Sequence, residues 1–246
     1  MIPSIRNDLY NAFKQPGCPV CQVVVQAVSH YIRSIFYEKI NDRELRAELR
    51  ESRVFCVRHA WQALQPGLGD ALGGAILYQD ILTNILRELP ESAAAEGQIK
   101  PAGQNRWLVG LVKTGQKDLA GRAKKVEQAV TPRKPCPVCR HREGLHETVL
   151  AGWGGGLGDG PMRIAYQDSF GLCLPHLSIA VATVADVTLQ SELIQIGRTK
   201  MEELLAELGE FIRKNDYRFS DEGFGPERDS WARAVRMTAG EIEAWG

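Results

Sequence analysis

The chain has 246 residues, enough to bury a substantial core as one large domain or two small ones. Its 44% hydrophobic and 24% charged residues are ordinary for a soluble globular protein. Thirty basic residues balance thirty acidic ones, and a formal net charge of zero argues against nucleic acid as the main partner, leaving only a local basic patch to consider.

The stretch Met1 to Asp8 contains no apolar run of signal-peptide length. The most apolar window, Leu172 to Leu189, contains His176 and Asp186 and reads as a buried helix, not a membrane span. The expectation is a cytoplasmic chain with no membrane partner. In that compartment thiols stay reduced, and paired cysteines are more often metal ligands or redox groups than disulfides.

A short lead-in breaks at Pro16-Gly17. From Pro19 a helix is predicted, because proline suits the first helical position, and Val20, Val24, Ala27, Tyr31 and Ile35 recur on one face. It should stop near Asn41-Asp42, where Asn41 and Glu44 form a candidate capping pair for a short helix to about Arg50. After His59 a helix is interrupted at Pro66-Gly67. A longer one follows, with Leu72, Ile76, Gln79, Leu82, Leu86 and Leu89 as its expected buried stripe.

Residues 90–103 read as a linker, and Lys113 to Val130 as an exposed helix. Seven Lys or Arg lie between Lys113 and Lys134 (113, 117, 122, 124, 125, 133 and 134), which suggests a solvated connecting helix or, alternatively, a phosphate-facing patch. A helix from Pro137 to about Ala151 runs into the glycine-rich stretch 152–158. That stretch lacks the Lys-Ser/Thr ending of a phosphate-binding loop and reads as a flexible loop. Helices to about Leu189 and from Ser191 to Ile212 precede a tail rich in charge and aromatics. No alternating strand pattern is present.

All six cysteines fall in a motif that occurs twice. Cys18-Pro19-Val20-Cys21 is followed after 34 residues by Cys56-Val57-Arg58-His59. Cys136-Pro137-Val138-Cys139 is followed after 33 by Cys173-Leu174-Pro175-His176. A shift of 117 also superposes Asp42 on Asp159, Leu45 on Met162, Arg46 on Arg163 and Ser52 on Ser169. Each half therefore reads as a helical hairpin with CxxC at one end and CxxH at the other.

CxxC lets two thiolates converge on one ion, and a helix N-terminus favours the thiolate. CxxH adds a third sulfur and an imidazole, completing the tetrahedral shell of a closed structural zinc site. The expected metal ligands are Cys18, Cys21, Cys56, His59, Cys136, Cys139, Cys173 and His176, holding two zinc ions. Iron–sulfur clusters are the alternative cofactor, and thiol–disulfide chemistry at Cys-Pro-Val-Cys is a third use. Whether each CxxC meets the CxxH of its own copy or of the other is open. Asp42, Arg46, Asp159 and Arg163 read either as groups orienting the ligands or as ordinary caps and ion pairs. Ser52 and Ser169 are expected to cap the turns before Cys56 and Cys173. His30, His141 and His146 read as surface or satisfied core histidines, with His141, near Cys139, as a candidate spare ligand. No Ser/His/Asp or HExxH pattern is present, and no catalytic or other cofactor-binding residue is assigned.

The doubled CPxC…CxxH, the stretch Ala75 to Tyr78, and the tail segments Glu210 to Phe219 and Ser230 to Val235 together resemble an uncharacterised bacterial family, one of the domains of unknown function. The resemblance implies a bacterial or archaeal soluble protein and no established activity.

The fold expected is all-α, a helical bundle of two duplicated halves each carrying a metal site, plus an aromatic tail. Its segments are 1–89, a linker and basic helix at 90–134, 135–212, and a tail at 213–246. The function expected is a zinc-binding scaffold for an unidentified protein partner. The alternatives are a redox or electron-transfer protein and a nucleic-acid-associated module.

Overall fold

The structure, a computed structural model, describes residues 3–90, 111–154, 160–219 and 221–245. Among these residues every regular element is helical. The α-helices are α1 (Pro3–Ala12), α2 (Pro19–Tyr37), α3 (Arg43–Glu51), α4 (Val57–Gln62), α5 (Ala71–Glu88), α6 (Leu111–Val130), α7 (Pro137–Gly154), α8 (Gly160–Gln167), α9 (Leu174–Thr183), α10 (Val187–Lys214), α11 (Ser230–Ala239) and α12 (Ile242–Trp245). No described helix is long and apolar enough to cross a membrane.

The chain gathers into two compact units, Met1–His30 with Arg140–Gly246, and Tyr31–Cys139. The first takes the CxxC of the first copy and the CxxH of the second. The other unit takes the remaining two motifs.

In the first unit, Phe13, Trp153 and Tyr166 form an aromatic core, with the Trp153 and Tyr166 rings edge to face at 4.7 Å. Helix α10 packs on α9 and α11. The break between α9 and α10 falls at 184–186, earlier than the predicted 189–191. Asp186 caps the amides of Thr188 and Leu189. The Gln190 amide donates to the Val181 and Val184 carbonyls that α9 leaves open. The tail is tied down by the Glu227 carboxylate, which is buried and accepts from Lys214 Nζ and the Gly225 N–H, each at 2.8 Å.

In the second unit, α5 packs on α3 and α6. Asp42, not Asn41, caps α3, because its carboxylate reaches the Leu45 amide at 2.8 Å. Arg50 makes a two-pronged ion pair with Asp80 of α5, and Arg53 pairs with Glu88. The core row of α5 is Gly73, Leu77 and Ile81. The expected stripe points elsewhere, since Leu72, Leu82 and Leu86 are exposed. Gly73 decides the orientation, because a Cβ there would stand 3.1 Å from the Phe36 carbonyl, so this face approaches Phe36 more closely than a leucine would allow.

The basic helix forms as α6, with Lys124 and Lys125 exposed. Arg133 is paired with Glu88 and Glu51. Residues 91–103 of the linker, the Lys113 and Lys117 side chains, and positions 155–158 of the glycine run lie outside the described residues.

Two measurements check these assignments. In urea unfolding, Leu77→Ala should cost about 2–5 kcal/mol, whereas Leu82→Ala should stay within about 0.5 kcal/mol of the parent. Lys214, then the backbone N–H groups of Gly225 and Glu227, hold the Glu227 carboxyl down to about 2, against an ordinary 4.5. Its contribution is therefore present above pH 4.5 and lost as pH falls towards 2. The difference in thermal midpoint between parent and Glu227→Gln should be widest near neutrality and close across that window.

Candidate metal centres

Both CxxC pairs stand at helix starts set by proline, with Pro19 opening α2 and Pro137 opening α7. Both CxxH motifs place their cysteine at a helix N-cap in nearly the same conformation. Cys56 has φ −62° and ψ 163°, and Cys173 has φ −65° and ψ 156°. Neither sulfur is used as a cap, so both are free to ligate.

The turn leading to each cysteine is built alike. Ser52 Oγ donates to the carbonyls of Leu49 and Val54, and Ser169 Oγ donates to that of Tyr166 and accepts from the Gly171 N–H. The residue two before the cysteine is left-handed in both, Val54 at φ +75° and Gly171 at +85°. Glycine takes this region freely, whereas for a β-branched valine it costs of order 1–3 kcal/mol. Val54 is also buried.

The eight predicted residues form two groups. Cys18, Cys21, Cys173 and His176 make one, and Cys56, His59, Cys136 and Cys139 the other. Within each group the ligand atoms lie within 4.8 Å of one another, and either group could hold a metal ion. The pairing is exchanged, each CxxC meeting the CxxH of the other copy.

In the first group His176 Nδ1 is 3.4, 3.4 and 3.2 Å from the sulfurs of Cys18, Cys21 and Cys173, and Cys21 and Cys173 are 3.8 Å apart. In the second, His59 Nδ1 is 3.3, 3.6 and 3.4 Å from Cys56, Cys136 and Cys139, with Cys56 and Cys139 3.6 Å apart. All four ligands of the first group are buried, while Cys56 and Cys139 in the second are half-buried.

Three sulfurs so close cannot all carry charge without a cation. Burial, then the neighbouring Cys173 and Cys21, pushes the Cys18 thiol well up. Bonds from Cys18 and Cys21 bring Cys173 down to about 4. In the second group burial and the charge of Cys136 push Cys139 up to about 12. Burial also opposes ionisation of Cys56, but the His59 N–H and the Cys139 and Cys136 sulfurs lower its thiol overall.

His146 belongs to the first centre, a role the sequence reading did not assign. Its Nδ1 is 2.8 Å from His176 Nε2, and its Nε2 is 3.0 Å from the Ala244 carbonyl. Burial, then the neighbouring His176, lowers the His146 pKa, which favours its neutral form. A carbonyl only accepts, so His146 carries its proton on Nε2 and accepts on Nδ1. His176 therefore carries its proton on Nε2 and turns a bare Nδ1 lone pair towards three sulfurs, which is the tautomer a metal requires. Trp245 stacks on His146 at 4.6 Å and lies 4.5 Å from the His176 ring. Gly240, at φ +77°, admits the indole, because a Cβ there would stand 2.5 Å from Trp245 Nε1. The one local cue to His146, its seven-residue spacing from Cys139, points to the other ligand group.

Among the described residues, the remaining candidates fall outside both ligand groups. Asp42 is a cap. Arg46 lies 3.9 Å from Asp80, and Arg163 pairs with Glu192, so Arg46 faces α5 from α3 and Arg163 ties α8 to α10. Asp159 lies outside the described residues. His30 is exposed and His141 half-buried, and neither joins a ligand group.

A family of unknown function (DUF6062) matches residues 5–244. The chain belongs to that family. The resemblance carried by the doubled motif and the tail is thereby borne out. This DUF6062 member is also similar to an uncharacterized 23.9 kDa protein in the xynA 3′ region of Caldicellulosiruptor sp. (strain Rt8B.4). That protein is 23% identical over 235 residues, covering 93% of this chain and 97% of the relative. No solved structure matches.

The relay through His146 has a measurable consequence. Replacing a hydrogen-bond partner of a metal-ligating histidine typically costs about 10–100-fold in metal affinity. His146→Phe, which keeps a ring for Trp245 to stack on, should weaken one of two binding steps by that factor in a chelator competition. The other step should be unchanged.

Proposed function

We propose that each ligand group holds one zinc ion in a closed structural site, and that the protein is a metal-stapled helical scaffold that binds a partner protein. The observation that carries this reading is ligand spacing. Zinc with bonds of about 2.3 Å to sulfur and about 2.0–2.1 Å to nitrogen gives a tetrahedron with edges of about 3.8 Å between sulfurs and about 3.5 Å between sulfur and nitrogen. The Cys56–Cys139 and Cys21–Cys173 sulfurs stand 3.6 and 3.8 Å apart, the sulfur–nitrogen distances run from 3.2 to 3.6 Å, and all ligand atoms of a group lie within 4.8 Å of one another.

The same spacing favours a single ion over an iron–sulfur cluster. A cluster distributes its ligands over several irons, so ligands on opposite sides of its core stand farther apart than either group allows. Four protein ligands fill a tetrahedron and leave no position for a reacting water, which supports a structural rather than a catalytic metal. Six ligand thiols require a reducing compartment, in keeping with a cytoplasmic protein.

The partner-binding half of the proposal rests on aromatic side chains that the fold leaves outside. Tyr217 is 85% exposed and Trp231 60%, while Trp245 of the same tail is taken up by the first centre.

Elemental analysis of protein purified without oxygen should find two zinc ions per chain, with no visible absorption. Prolonged chelation should cost helicity. Iron with inorganic sulfide would overturn the zinc reading. Tyr217→Ala and Trp231→Ala should keep both zinc ions and the fold but lose a partner that crosslinks to the parent protein in cells. Retention of that partner would count against the tail as the docking element.

A further inference from the structure

The two centres share a ligand set but differ in access. In the Cys18, Cys21, Cys173, His176 centre, every ligand is buried. In the other centre Cys136 and His59 are buried, but Cys56 and Cys139 are half-exposed, and their sulfurs are 3.6 Å apart. We propose that Cys56 and Cys139 form a peroxide-responsive dithiol, and that their oxidation to a disulfide releases the zinc ion of that centre alone. The proposal rests on the zinc reading above.

Proximity does not distinguish the centres, because Cys21 and Cys173 are 3.8 Å apart in the closed one. Access does. Thiol oxidation follows thiolate character and exposure, and zinc keeps the sulfurs of both centres as thiolates. An oxidant therefore meets sulfur at the open centre, while burial and the Trp245 indole keep it from the closed one.

The chemistry balances. One exposed thiolate attacks a peroxide oxygen, the O–O bond breaks, and hydroxide leaves, giving a sulfenic acid. The second thiolate attacks that sulfur, an S–S bond forms, and a second hydroxide leaves. With two protons taken up, hydrogen peroxide is reduced by two electrons to two waters, and two thiolates are oxidised to one disulfide. The sulfurs close from 3.6 Å to about 2.0 Å. Zinc is left with Cys136 and His59, half of its shell, and dissociates. A dithiol reductant, oxidised in turn to its own disulfide, restores the thiolates, and added zinc refills the centre.

The test uses the full chain carrying zinc, treated with hydrogen peroxide beside a chromogenic chelator, followed by thiol blocking and peptide mapping. The expected result is release of one of two zinc ions, a Cys56–Cys139 disulfide in equal amount, and recovery of zinc after a dithiol reductant is added. Cys139→His, which keeps a fourth ligand but cannot form the disulfide, should retain its zinc under peroxide. Should that variant not fold, mapping of the parent protein decides alone. Protein that holds two zinc ions but releases both together, or neither, or that links any other cysteine pair, overturns this proposal and leaves the zinc reading standing. Protein that takes up no zinc overturns both.

Discussion

Three thiols and an imidazole gathered in a buried space have no comfortable charge state of their own. Ionising one sulfur discourages the next, and leaving them neutral buries polar groups against one another with poor hydrogen bonds. A divalent cation removes the conflict, and the His146 relay already holds His176 in the tautomer that such a cation needs. The helices around each centre are arranged to deliver ligands. Two proline-started helices bring the CxxC pairs, and two N-cap cysteines bring the CxxH pairs.

The exchanged pairing sets how far along the chain each centre reaches. The first centre joins residues 152 to 158 apart, and the CxxC and CxxH of the second are 77 to 83 apart. Loop-closure entropy grows only logarithmically, so doubling the span adds about 0.6 kcal/mol. That is small beside the roughly 10–16 kcal/mol by which zinc binding drives small zinc domains to fold. Exchange is therefore cheap in entropy, and helix packing is free to choose it. What a centre gains for the fold is local. Helix α4 has six residues, too short to persist alone, and its position depends on Cys56 and His59 at its start.

How much of this could be read from sequence follows from what each feature demands of residue type. Metal chemistry demands Cys and His at fixed short spacing, so all eight ligand candidates were visible. The all-helical class was visible in the three-and-four periodicity and the absence of alternation. The pairing was not, because either assignment gathers three cysteines and one histidine, and only the helices' choice of neighbours decides. The face of α5 was misread for a related reason. Its leucines occupy more than one stripe, and the residue that orients it, Gly73, carries no hydrophobic signal. His146 was invisible because its partners, His176 and the Ala244 carbonyl, lie 30 and 98 residues away.

The two centres also show where matched copies are able to differ. The CxxH residues, their N-cap conformations and the serine-braced turns agree at positions 117 apart, and the CxxC pairs at 118, since each fixes where a candidate ligand stands. The flanks are under no such constraint. The second copy relaxes its left-handed turn with Gly171, whereas the first keeps Val54, whose burial offsets part of the backbone strain. The closed centre collects His146, Gly240 and Trp245 around it, while the open one leaves two sulfurs within reach of solvent. A ligand set identical on both sides thus yields one fully buried group and one with two half-exposed cysteines. The difference arises from residues outside the two ligand groups.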